Sequence, residues 1–151
     1  RIFSSSSLRA KETTEILLNG ETDSVVYLDP LREISLGPWE GMLISDIETK
    51  YPKEYHDYRH SPERFKLNGA ETLPAVQKRG VAAIRQIVDQ CPNGSALVIS
   101  HGTLIRTILA FYEGRGFKQL PSAPKVDNCS HSIVEFNATE RPTILKYSDN
   151  N

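Results

Sequence analysis

Cysteine is scarce in this sequence: of 151 residues two are cysteine, Cys91 and Cys129. Neither stands in a Cys-x-x-Cys or Cys/His spacing, so nothing points to a structural zinc site or a dithiol pair, and buried free thiols are expected in place of a disulfide. No apolar run approaches the roughly 20 residues a membrane-spanning helix needs, and the start carries no signal-peptide pattern. No membrane partner is expected, and the expected location is cytoplasmic. An excess of charge of one sign is also missing. The formal net charge is −1 with 25% charged residues, which provides no overall basic field to hold nucleic acid or anionic lipid. Any bound anion must be gripped locally. The opening methionine is absent as well: Arg1 runs at once into Ile2-Phe3, which reads as a strand already under way. The domain is therefore expected to be incomplete at its N-terminus.

The sequence is 38% hydrophobic, enough for a single soluble domain over 1–151 with its own core. A short strand at Arg1–Phe3 leads into the serine run Ser4–Ser7, whose hydroxyls are placed to cap a helix over about Leu8–Leu18. Asn19-Gly20 ends that helix. Val25–Leu28 is a second strand, and Gly37-Pro38 and Gly41 break up the loop Asp29–Gly41. From Ile44 to Tyr58 the pattern is helical but interrupted at Pro52. Thr72–Cys91 is the clearest helix, with Val76, Gly80, Ala83, Ile84, Ile87, Val88 and Cys91 three and four apart and Pro74 in the first turn. Ala96–Ser100 is an unbroken apolar run, expected to be a strand covered on both faces. A helix over Thr103–Tyr112 follows, then strands at Ser132–Asn137 and Thr143–Ser148 joined by the turn at 138–142. This order predicts an α/β three-layer sandwich: a mostly parallel, mixed sheet with helices on both faces.

A buried strand that turns into a helix presents its last side chains at the carboxyl edge of the sheet, where ligands of α/β folds bind. Ser100-His101-Gly102 occupies that junction. The free N–H groups and dipole of the following helix favour a phosphate there, and Gly102 leaves room for it. A histidine in that place can also be a simple helix cap. Arg9 falls in the first turn of its helix, where a cation is unfavourable unless an anion neutralises it; the alternative is a solvated arginine.

Four segments taken in order carry a resemblance: Ser5–Thr14; Leu31-Arg32-Glu33 followed by Gly37-Pro38-Trp39-Glu40-Gly41; Gly69-Ala70-Glu71-Thr72; and Ser100-His101-Gly102. Together they resemble the signatures of the histidine phosphatases, also called the phosphoglycerate mutase-like superfamily. The resemblance implies a phosphomonoester hydrolase that works through a phosphohistidine on a small phosphorylated metabolite, with no metal or organic cofactor. Arg9, His101 and Gly102 would bind the phosphate, and Glu33 and His101 would be catalytic. Glu33 would protonate the leaving alcohol and then activate water, its carboxyl kept protonated by burial under Leu36–Trp39. His101 would donate to a phosphoryl oxygen, and Glu71 would support the pocket without reacting.

The family's nucleophile belongs to an Arg-His-Gly motif on its first strand. No Arg-His-Gly occurs here, so the resemblance implies that about 50 residues of a family member are lacking upstream. Two further readings follow: a phosphoglycerate mutase, disfavoured by the short insert between Trp39 and Gly69, and a phosphate-binding module without the nucleophile. Ser7, where the family usually has an apolar residue, and Ala70, where a second glycine is common, depart from the pattern. His56 and His60, spaced i, i+4, lack the glutamate of the metalloprotease motif and read as exposed. His131 is a possible rim residue. Trp39, Tyr51, Tyr55 and Tyr58 are lid or core.

Overall fold

The computed structural model describes residues 1–137 and 141–149. Three parallel strands, β1 (Ile2–Ser5), β2 (Val25–Leu28) and β3 (Leu97–Ile99), form a sheet in the order β2-β1-β3. The register sets Ser4 opposite Tyr27 on one side and Ile99 on the other. All three strands therefore end at the same edge, and the chain leaves that edge into α1 (Leu8–Leu17), an irregular loop and α5 (Gly102–Glu113).

Alternation along β1 separates the two faces of the sheet. Ser4 Oγ is reached by Thr14 Oγ1 of α1 at 2.9 Å. The preceding Phe3, fully buried, belongs to the core cluster with Val76, Ala83 and Ile87 of α4 (Leu73–Asp89) and Leu104 and Ile108 of α5. Helices thus cover both faces, as the sequence predicts. Helix α4 starts where its residues dictate: the Thr72 side chain accepts from the Ala75 N–H, Pro74 sits in the first turn, and the apolar stripe faces α5. Gly80 lets the two helices approach, because a Cβ there would lie 2.7 Å from Leu104.

The interrupted pattern around Pro52 resolves into two short helices, α2 (Ile44–Lys50) and α3 (Pro52–His60), with Pro52 opening the second. Both tether to the core through Trp39. Its ring lies 5.5–6.1 Å from those of Tyr51, Tyr55, Tyr58 and Phe65. Trp39 is itself buried, so this aromatic group is core, with the tyrosines partly exposed on its outer side.

Three expectations change. Strand β3 is shorter than Ala96–Ser100 and pairs only with β1 among the described residues, so it is an edge strand with Leu97 47% exposed, not a strand covered on both faces. The last two strands, β4 (Ile133–Glu135) and β5 (Thr143–Lys146), pair antiparallel as a separate two-stranded sheet and do not extend the first into a mixed one. Their connection at 138–140 lies outside the described residues. Both cysteines are free as expected, yet neither is buried: Cys91 is intermediate and Cys129 exposed.

One glycine is indispensable to the loop beside the sheet edge. Gly37 has φ +54°, and a Cβ on it would stand 2.4 Å from the carbonyl oxygen of Gly69. Gly37→Ala combines a left-handed conformation with a backbone clash, and is expected to lower the unfolding free energy by about 2–4 kcal/mol in urea denaturation.

Candidate functional site

The serines that precede α1 do not cap it. Ser7 is the N-cap residue, yet its side chain makes no capping bond. The hydroxyls of Ser4 and Ser6 bond to Ala10 O and Asp29, while those of Ser5 and Ser7 turn toward His101. Its Nε2 lies 2.9 Å from Ser5 Oγ and 3.1 Å from Ser7 Oγ, while Arg9 Nε donates to its Nδ1 at 3.2 Å. Residues about a hundred positions apart meet because β1 and β3 run side by side. His101 is buried, and Arg9 is exposed with its guanidinium partnered to the imidazole through one nitrogen. Burial, reinforced by the Arg9 charge, holds the His101 imidazole below its ordinary value of 6.5; Glu33 opposes the shift, and Arg32 and Arg79 add to it. The ring rests neutral.

Glu33 takes the place expected for an anion. Its Oε2 accepts from the Thr103 N–H at 3.0 Å, and its Oε1 from Leu104 N–H at 3.1 Å and Ile34 N–H at 3.0 Å. The first-turn donors of α5, which the sequence assigns to a phosphate, thus hold a carboxylate of the protein itself. Among the described residues Gly102 N–H is left without a partner, and a Cβ on Gly102 would meet only Val126 O at 3.8 Å. Glu33 is half-buried. A carboxylate oxygen accepts about two hydrogen bonds. Oε1 is therefore filled, and Oε2, with one bond, keeps a lone pair open.

The loop carrying Glu33 has little regular structure, and one side chain that sequence reasoning missed holds it. Arg79 of α4 forms a two-pronged pair with Glu71, Nε to Oε1 and Nη2 to Oε2 both at 2.9 Å. It also donates to the carbonyls of Pro30 and Arg32 at 2.7 Å and of Glu33 at 3.1 Å. Glu71 in turn accepts from Ser35 N–H at 2.9 Å. Glu71 thus supports the loop, and Ser100 Oγ adds a bond to Leu31 O at 2.8 Å. The only mark of Arg79 in the sequence is a cation next to Gly80 on the apolar stripe of α4. Above Glu33, Tyr58 of α3 approaches Thr103 Oγ1 at 3.5 Å, and burial pushes its phenol up from the ordinary value.

The other histidines stand elsewhere. The rings of His56 and His60 lie 5.1 Å apart on the exposed side of α3. His131 is exposed by the β4–β5 pair and contacts Asp149 at 2.6 Å.

The family profile described as "Histidine phosphatase superfamily (branch 1)" matches residues 1–150. The chain belongs to the histidine phosphatase superfamily. Relatives within this superfamily agree in sequence at modest identity. Phosphoserine phosphatase 1 of Hydrogenobacter thermophilus is 26% identical over 96% of the chain, which spans 68% of that protein. The phosphatase PhoE of Bacillus subtilis is 28% identical over 99% of the chain, with 70% of its own length covered. Of the 6-phosphofructo-2-kinase/fructose-2,6-bisphosphatase of Caenorhabditis elegans, 28% identical, the chain covers 28%. In structure, YhfR of Bacillus stearothermophilus superposes with a TM-score of 0.92 at 29% identity, over 99% of this chain and 74% of that one. The mycobacterial glucosyl-3-phosphoglycerate phosphatase shares the fold, with a TM-score of 0.84 at 21% identity and coverage of 97% and 75%.

The Arg79–Glu71 pair has a pH signature. Hydrogen bonds from Arg79 hold the Glu71 carboxyl below its ordinary 4.5, so its contribution to stability is full above that value and is lost as pH falls through the lowered one. The stability advantage of the unaltered chain over Glu71→Gln should stay constant above pH 4.5 and shrink below it. Urea unfolding across an acid pH series measures this.

Proposed function

We propose that this chain is the phosphate-gripping part of a phosphomonoester hydrolase acting on a small phosphorylated metabolite through a phosphohistidine. The observation that carries the reading is the convergence of Arg9, His101 and Glu33 at one edge of the parallel sheet. Arg9 offers its terminal guanidinium nitrogens to the phosphoryl oxygens, the geometry arginine suits best. His101 donates to a phosphoryl oxygen and offsets the charge that builds up in transfer. Gly102 N–H is a further donor at the same place.

In this reading the attacking imidazole is not among the four histidines of the sequence. Both ring nitrogens of His101 are engaged, and the other three stand on α3 or beside β4–β5. The unpaired side of β3 is where a strand bearing that histidine fits. The imidazole nitrogen forms a bond to phosphorus as the ester P–O bond breaks, and Glu33, entering this step as the protonated acid, gives the Oε2 proton to the departing alcohol. Water then attacks the phosphohistidine, Glu33 Oε2 takes up a proton, and inorganic phosphate and free histidine result. Every step is assigned to side chains, with no metal ion.

The relatives support a hydrolase over a mutase, since phosphatase names recur among them, for phosphoserine and glucosyl-3-phosphoglycerate among others. The short α2–α3 segment agrees with this. A chain joined to the upstream strand should hydrolyse p-nitrophenyl phosphate undiminished by a chelator, whereas the 151 residues alone should not turn it over. In the active form, Glu33→Gln should lower kcat by about 10²–10⁴-fold. Strict dependence on added metal, or turnover by the chain alone, would contradict the assignment.

A further inference from the structure

The serine run before α1 bears on the tautomer of His101. An arginine Nε can only donate, so Nδ1 of His101, 3.2 Å from Arg9 Nε, is an acceptor and carries no proton. The neutral ring therefore bears its proton on Nε2, which points between Ser5 Oγ and Ser7 Oγ at 2.9 and 3.1 Å. The polarity is opposite to that of a serine nucleophile with a histidine base, because an Nε2 that holds a proton cannot take one from a hydroxyl. The two serines act on the ring as acceptors.

Among the described residues these hydroxyls bond, besides the imidazole, only to one another and to the Ser7 N–H. Ser7 occupies the N-cap of α1 without capping it. Ser5 is fully buried at the end of β1, and apart from the Ser7 hydroxyl and N–H its side chain meets only the imidazole. Ser7 also stands where the apolar residue of the serine-arginine signature usually lies, so the second hydroxyl is a feature of this sequence.

We propose that Ser5 and Ser7 are positioning residues for His101: with Nδ1 held by Arg9, their hydroxyls aim the Nε2–H and keep that proton available as the donor to a phosphoryl oxygen. The proposal rests on the reading of this edge as a phosphate pocket. When phosphate enters, one of its oxygens takes over the Nε2 proton from a hydroxyl, and the freed hydroxyl turns to donate to the same anion. No proton leaves the ring in this exchange. The charged groups that face the ring are Arg9 from α1, Arg32 and Glu33 from the loop after β2, and Arg79 from α4. Three of the four are cations, which favour the neutral ring.

The test is a long-range ¹H–¹⁵N spectrum of the chain labelled at histidine, recorded above neutral pH with and without inorganic phosphate. In the unaltered chain His101 should appear as a single Nε2–H tautomer whose Nε2 signal moves when phosphate is added. The Ser5→Ala/Ser7→Ala double variant should keep that tautomer through Arg9 but lose the downfield Nε2–H shift that hydrogen bonding to the hydroxyls gives, and bind phosphate about tenfold more weakly. Ser7→Thr in the Ser5→Ala background should restore the downfield shift, a rescue that a merely structural role would not produce. Ser7→Ala alone, at a half-exposed position, should shift Nε2 in the same direction by a smaller amount and covers the case in which the double variant does not fold. An unchanged His101 spectrum in the double variant overturns the proposal. If the variants move the Nε2–H signal while phosphate leaves His101 unmoved, the positioning role stands and the phosphate pocket falls.

Discussion

The parallel register of β1 and β3 is the constraint on which the rest of the site depends. With Ser4 opposite Ile99, the next residues of both strands emerge together at one edge, and the chain there turns into a helix on each side. That single alignment brings Ser5, Ser7 and Arg9 onto His101. It also points the N-terminus of α5 at the loop that carries Glu33. A slip of one residue would move Ser5 to the opposite face of the sheet and remove its contact with the imidazole.

The second requirement is that an irregular loop be held to side-chain precision. The stretch 29–41 has two short 3-10 turns and little else, so its carbonyls lack the partners that a strand or helix would supply. Arg79 provides them, binding the carbonyls of Pro30, Arg32 and Glu33 while its charge is balanced by Glu71. Glu33 is then delivered to Thr103 and Leu104 N–H. Helix α4 thus reaches the site through one long side chain, which ties its apolar stripe to the placement of a carboxylate.

How much of this the sequence reveals follows from the range of each interaction. The long amphipathic α4, its Thr72 and Pro74 start and the strand at Val25–Leu28 are local and can be read from periodicity and caps. The proposed site residues Arg9, Glu33 and His101 are legible through motif order, although their partners are not. Ser5, Ser7 and Arg79 act across long sequence separations; the serine run is visible locally but reads as a cap, and Arg79 has no local mark beyond its charge. Two expectations fail for a common reason. Apolar composition at Ala96–Ser100 predicts coverage on both faces, and a serine run predicts capping. In each case tertiary pairing decides: β3 is at an edge, and the Ser5 and Ser7 hydroxyls face His101.

The claim that Arg9 and His101 form a phosphate grip is tested most directly by calorimetric titration of inorganic phosphate into the chain and into its Arg9→Met variant. Loss of the charged hydrogen bonds of Arg9 should weaken binding by about 10–150-fold, and the affinity of the unaltered chain should fall as salt is raised. Equal affinity in the two proteins would contradict the account.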